Sequence, residues 1–171
     1  SASMSTLNEK YAGALLTLAQ KQGKVREIRE DLETVRSIFS AMRVSVKLGV
    51  QEDASSENKK ISADLDGMNL FFKDDKFSSD AKKEIAETLL KGKVDDTVLQ
   101  FIYVLIDKNR IANYNGIIDA YRTLANKELG IREGVLESAR ELDPELVKKL
   151  EEVLSKDGET VELKKEIDPS L

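Results

Sequence analysis

The chain contains no cysteine, no histidine and no tryptophan in 171 residues, and only two prolines. Without cysteine there is no thiol nucleophile, no disulfide and no thiolate metal site. Without histidine there is no imidazole base, no catalytic triad of the usual kind and no His-ligated zinc. Any enzyme built on this chain would run on carboxylates, lysine, tyrosine or hydroxyls. A strong charge excess is also missing: 27 Lys and Arg stand against 32 Asp and Glu, a formal net of −5. A mildly acidic chain is a poor binder of phosphate backbones, so no nucleic-acid partner is expected. Long apolar runs are lacking too. The longest, Val98 to Ile106, is interrupted by Gln100 and falls short of the roughly 20 residues needed to span a bilayer. No basic region followed by an apolar one opens the chain, so no signal peptide is expected. Ser1-Ala2-Ser3, ahead of Met4, reads as a remnant of cloning or of a cleaved presequence and is set aside from the fold. What is present is a 40% apolar content, enough for a packed core in one ordinary domain or two small ones.

The first two-thirds carry helical signals. Thr6 and Glu9 have capping-box spacing ahead of an apolar-rich stretch from Leu7 to Ala19, and Gly23 can end that helix. Val25, Ile28, Leu32, Val35, Ile38 and Phe39 recur at helical spacing in a second helix over 24–39. Shorter helices are expected near Met68 to Phe72 and Ser79 to Leu90. Gly92 then breaks the chain before a helix from about Asp95 to Lys108. Asn109 and Arg110 make a tight link to a long helix, Ile111 to Leu129, ended by Gly130. Short links favour antiparallel neighbours and a bundle. One stretch departs from this pattern. Val44, Val46, Leu48 and Val50 alternate with polar residues and glycine, a polar loop runs from Gln51 to Lys60, and Ile61, Ala63 and Leu65 alternate again. A β-hairpin insertion over 43–66 is the expectation.

Beyond Gly130 the periodicity changes. Asp143-Pro144 pairs an N-cap residue with proline at the first helical position, opening a helix to about Lys156. Thr160 to Ile167 alternates, with Val161, Leu163 and Ile167 on one face, and Ile131 to Ala139 is its candidate partner. The fold class is therefore mainly α: a helical domain over 4–129 and a small α/β unit over 130–171.

Helical-wheel placement, at about 100° per residue, separates two kinds of helix. The helices 24–39 and 111–129 confine their apolar residues to roughly 140°, an ordinary core-facing stripe. The helix beginning at Leu7 spreads Ala14, Leu7, Leu18, Tyr11, Leu15, Ala19, Ala12 and Leu16 over roughly 200°. The helix 95–108 is apolar nearly all round, from Val98 to Ile106 with only Gln100 between. Such a helix is either the centre of the bundle or is finished on one side by a partner's helix. Other candidate sites fall away. The paired acids Asp74-Asp75, Asp95-Asp96 and Glu151-Glu152 are neighbours that do not face each other on a helix and lack metal-loop spacing. Lys21, Lys24, Arg26 and Arg29 are balanced by Glu27, Glu30 and Asp31. Gly130, Gly134 and Gly158 match no phosphate-cradling loop. No metal, cofactor or catalytic constellation is indicated.

Four segments in register carry a resemblance: Tyr-Ala-Gly-Ala-Leu-Leu-Thr-Leu-Ala at 11–19, Phe-Ile-Tyr-Val-Leu-Ile-Asp-Lys-Asn-Arg-Ile at 101–111, Gly130 onward with Val135 and Ser138, and Glu-Ile-Asp-Pro-Ser-Leu at 166–171. Together they resemble the delta subunit of F-type ATP synthase, the oligomycin-sensitivity-conferring protein of mitochondria, over most of 7–171 apart from about 41–66. The resemblance implies an N-terminal six-helix bundle and a smaller C-terminal α/β domain. It implies a non-catalytic stator connector, on top of the catalytic head. The implied partners are the N-terminal helices of the alpha subunits and the C-terminus of the peripheral-stalk b subunit, with no homo-oligomer. It implies a groove between the first and fifth helices, with Tyr11, Ala14, Leu15 and Leu18 on one wall and Phe101, Val104 and Lys108 on the other. It places the protein at the head side of an energy-transducing membrane, peripheral through the complex: the cytoplasmic side of a bacterial plasma membrane, or a thylakoid or mitochondrial inner membrane. Family members continue past Asp-Pro-Ser-Leu with a hairpin and a last helix, so the 130–171 domain is expected to be incomplete. A helical adaptor of another multisubunit complex is the alternative, and a carboxylate enzyme is third.

Overall fold

Gly23 ends the first helix, and it does so because its backbone turns left-handed. Its φ of +66° is a conformation open to glycine at little cost. The Lys24 N–H then donates to Ala19 O at 2.9 Å and the Gly23 N–H to Gln20 O at 3.2 Å, satisfying the last carbonyls of the helix as in a Schellman turn. In this computed structural model the backbone is described over residues 4–48 and 61–171, and side chains over the same stretches apart from 4, 43–48 and 61–67. Helix α1 runs Met4–Gln22 and α2 Val25–Ala41. The Thr6–Glu9 spacing does not cap α1, because Met4 and Ser5 are already helical and Thr6 lies in the first turn. Once nucleated, a helix gains a hydrogen bond with each added residue and extends past such a weak start signal.

Strands β1, Arg43–Leu48, and β2, Ile61–Asp66, pair antiparallel, with Arg43 opposite Asp66 and Leu48 opposite Ile61. The polar loop expected over 51–60 lies outside the described residues. Then come α3, Gly67–Lys73, α4, Ser79–Leu90, and α5, Asp96–Asp107. A short 3-10 turn, Ile111–Asn113, leads into α6, Tyr114–Leu129, where a single helix from Ile111 was expected. Side-chain caps fix two of these starts: Ser78 accepts from the Ala81 N–H, and Asp95 from the Thr97 N–H. The link after α5 repeats the Gly23 arrangement with Asn109 at φ +56°. The Arg110 N–H reaches Leu105 O at 2.7 Å and the Asn109 N–H reaches Ile106 O at 3.0 Å.

The chain divides into two compact units, Ser1–Tyr121 and Arg122–Leu171, with the division inside α6. In the first, Ile28, Leu32, Val35 and Phe39 of α2 are fully buried, beside Leu15, Met68, Phe72, Ile102, Ile117 and Tyr121. Phe39 meets both Phe72 and Tyr114 edge-on at ring-centroid distances of 5.2 Å, a favoured aromatic geometry. Arg36 of α2 donates to Asn115 at 3.1 Å and pairs with Asp119 on α6.

The second unit is built from β3, Ile131–Ser138, α7, Pro144–Leu154, and β4, Thr160–Ile167. The strands are parallel, Ile131 opposite Thr160 and Ser138 opposite Ile167. Asp143 caps α7 by accepting from the Glu145 N–H at 2.9 Å, with Pro144 in the first turn. Gly130, at φ +66°, opens β3; a Cβ there would lie 2.7 Å from the Gly158 carbonyl oxygen. Two N–H groups of β4 are taken up by side chains: Leu163 donates to Glu151 at 2.8 Å and Val161 to Ser155 at 2.9 Å. The described fold is thus mainly helical, with seven α-helices and a small parallel two-stranded sheet near the C-terminus.

Candidate partner-binding face on helices α1 and α5

Helix α1 buries Ala12, Leu15 and Ala19, which at 100° per residue lie within about 60° of one another. Its apolar surface does not stop there. Leu18 is 42% exposed, Ala14 is exposed, and Leu7 and Tyr11 are half-buried. On the wheel these four share one strip about 60° wide, adjacent to the buried face. Of the residues expected to form this wall, Tyr11, Ala14 and Leu18 therefore lie on the accessible strip. Leu15 is in the core at 2% exposure and supports it from beneath.

Helix α5 shows the same division. Val98, Leu99, Ile102, Leu105 and Ile106 are buried. Val104 is 46% exposed, Phe101 is half-buried and Lys108 is exposed. Thr97, Phe101, Val104 and Lys108 follow at helical spacing and form one strip. Most of this all-round apolar helix is therefore core, and one strip of it is left exposed.

The two strips are tied together where they end. Thr97 Oγ1 donates to Gln22 Oε1 at 3.0 Å. Gln22 follows Leu18 by one turn on α1, and Thr97 precedes Phe101 by one turn on α5. This hydrogen bond therefore brings one end of each strip together, Leu18 and Gln22 of α1 beside Thr97 and Phe101 of α5. Beside it, Lys24 Nζ lies 2.9 Å from Asp95 Oδ2, and the Asp95 N–H donates to Asp31 Oδ2 at 2.7 Å. The hydrogen bond from Lys24, then that from the Thr97 N–H, holds the Asp95 carboxyl below its usual range. The hydrogen bond to Asp95 and its charge raise the Lys24 ammonium above its own. Sequence reading identified the strips but not Gln22, Lys24, Asp31 and Thr97 as what joins them. The start of a helix near Asp95 was legible; the cap it makes with Thr97 and its partners Gln22, Lys24 and Asp31 were not.

Among the described residues no group of three or more His, Cys, Asp or Glu side chains is placed to hold a metal ion. No described helix is long and apolar enough to cross a membrane. What the two strips offer is exposed apolar area with a polar end.

Comparisons with known proteins agree on one family. The family model described as ATP synthase delta (OSCP) subunit matches residues 49–171. The ATP synthase subunit delta of Symbiobacterium thermophilum is 29% identical over 163 residues, covering 95% of this chain and 75% of that subunit. That of Syntrophomonas wolfei is 30% identical over 163 residues, covering 95% and 77%. Among solved structures, a chain of the Toxoplasma gondii mitochondrial ATP synthase hexamer has a similar fold, with a TM-score of 0.63 at 22% identity, over 96% of this chain and 80% of that one.

Proposed function

This chain belongs to the ATP synthase delta (OSCP) subunit family, a family of non-catalytic subunits, and on that premise we propose that it is the stator connector of a rotary F-type ATP synthase. In this reading it joins the catalytic head to the peripheral stalk, so that the head does not turn with the rotor and ion flow is coupled to ATP synthesis. Its role is mechanical, and it sits at the membrane only through the complex. The observation that carries the reading is the convergence of the α1 and α5 strips on the Gln22–Thr97 hydrogen bond.

The N-terminal helix of an alpha subunit would lie along that face. Tyr11, Ala14 and Leu18 contact it from α1, and Phe101, Val104 and Lys108 from α5. Ala14 is small, which lets a second helix backbone come close, while Leu18 and Val104 supply exposed apolar area that a partner would remove from water. The b subunit of the stalk is assigned to the second unit, where α7 leaves Leu146, Val153 and Leu154 exposed.

The absence of cysteine makes a direct test simple. A single thiol introduced as Leu18→Cys or Val104→Cys is the only one in the chain. In the free protein it reacts readily with a maleimide; after incorporation into ATP synthase it is protected. Equal reactivity in both states contradicts the proposal.

A further inference from the structure

The charges along the two strips are one-sided. Within about 60° of Ala14 on the α1 wheel lie Lys10 and Lys21 and no carboxylate, since Glu9 falls about 140° away. Within about 60° of Val104 on α5 lie Lys108 and Asp107. Asp107 is already neutralised by Lys83, 2.6 Å away. Lys10, Lys21 and Lys108 are exposed and have no ion-pair partner among the described residues. Lys24, by contrast, is engaged at the end of the strips by Asp95. A protein with a net charge of −5 therefore borders its largely apolar face with three uncompensated ammonium groups.

We propose that the occupant of this face is an amphipathic helix with acidic residues along its polar margin, and that Lys10, Lys21 and Lys108 steer it into place. This rests on the docking reading above and adds the charge of the partner. Margin charges that stay solvated contribute little to final affinity, but they raise the rate of productive encounter and set register. A helix with basic margins would be rejected by like-charge repulsion.

The test uses the full chain and, as probe, a peptide of the alpha-subunit N-terminal segment from the same ATP synthase, with association followed by stopped-flow fluorescence. Raising salt from about 50 to about 500 mM shortens the screening length severalfold and is expected to slow association about tenfold. The triple variant Lys10→Glu/Lys21→Glu/Lys108→Glu is expected to associate at least about tenfold more slowly at low salt, with little change in dissociation rate. Its urea midpoint should match the parent, because all three positions are on the surface. The triple Lys→Arg variant should keep the parental rate. A parental rate indifferent to salt, with the glutamate variant associating normally, overturns the charge assignment and leaves the docking face intact. A peptide that fails to bind the parent protein overturns both.

Discussion

Lys24 Nζ and Asp95 Oδ2 are 2.9 Å apart although 71 positions separate them in sequence. The pair binds the N-cap of α2 to the N-cap of α5. Asp95 is used three times over: its carboxylate accepts from Lys24 and from the Thr97 N–H, and its own N–H donates to Asp31. With the neighbouring Gln22–Thr97 bond, this fixes where the strips of α1 and α5 meet. The geometry of the proposed docking face depends on it.

Asp95→Ala removes an N-cap, a loss worth about 1 kcal/mol. Asp95→Asn keeps the capping oxygen but loses the ion pair, and its effect should depend on pH. Because the folded-state pKa of Asp95 is lowered, its contribution is present above the unfolded value of about 4 and fades as pH falls through the folded one. Urea melts from neutral pH downward should show the parent losing stability below about pH 4 more steeply than Asp95→Asn. Parallel curves would remove Asp95 from the account.

Tyr121 makes a second long-range tie. Its hydroxyl donates to Val25 O at 2.8 Å, and the residue is fully buried. Burial pushes the phenol up to about 12, with Arg29 opposing and Glu27 adding to the shift. The folded value is raised, so the stability it supports is complete below the unfolded value of about 10 and is lost as pH rises toward the folded one. Tyr121→Phe should cost about 1 kcal/mol at neutral pH. Above about pH 10 its melts should converge on those of the parent, since the variant has no phenol to ionise there.

The 130–171 segment should not fold by itself. Its buried apolar side chains are Ile131 and Val147, whereas Val135, Leu146, Val153, Leu154 and Ile167 are exposed. Two strands and one helix bury too little to offset the entropy of ordering the chain. Expressed alone, 130–171 should show no cooperative thermal transition, while 4–129 should melt sharply. A cooperative melt from the short fragment would contradict this.

Local signals in the sequence carried most of the secondary structure. Ser79–Leu90 and Thr160–Ile167 have the expected limits, and Asp143-Pro144 opens a helix as its chemistry requires. Gly23 and Asn109 close helices where the chain needs left-handed backbone. Wheel arithmetic marked α1 and α5 as over-apolar because an uncovered strip leaves its trace in composition. It could not place Leu15 in the core and Ala14 outside it: both lie on the apolar arc, and only tertiary packing decides which edge of the arc is covered. The ties through Lys24, Gln22 and Tyr121 were illegible for a related reason. Each joins residues more than 70 positions apart, and one sequence holds no record of which lysine or tyrosine meets which acceptor.

The central claim is that the α1–α5 face binds a helix of the alpha subunit, and Ala14→Asp tests it most directly. Ala14 is exposed in the free protein, so a carboxylate there stays hydrated and should cost only about 0.5–1 kcal/mol of stability, mostly helix propensity. Beneath a docked helix the same carboxylate would be buried without a partner, at a cost of several kcal/mol. Since about 1.4 kcal/mol is tenfold in affinity, binding should fall by about two decades or more. Leu32→Asp, at a position 1% exposed in α2, should unfold the unit and serves as the control. Titration calorimetry with the alpha-subunit N-terminal peptide, beside urea melts of each variant, is the decisive measurement. The account predicts that Ala14→Asp stays folded and loses the peptide; normal binding by Ala14→Asp, or its unfolding in the manner of Leu32→Asp, would contradict it.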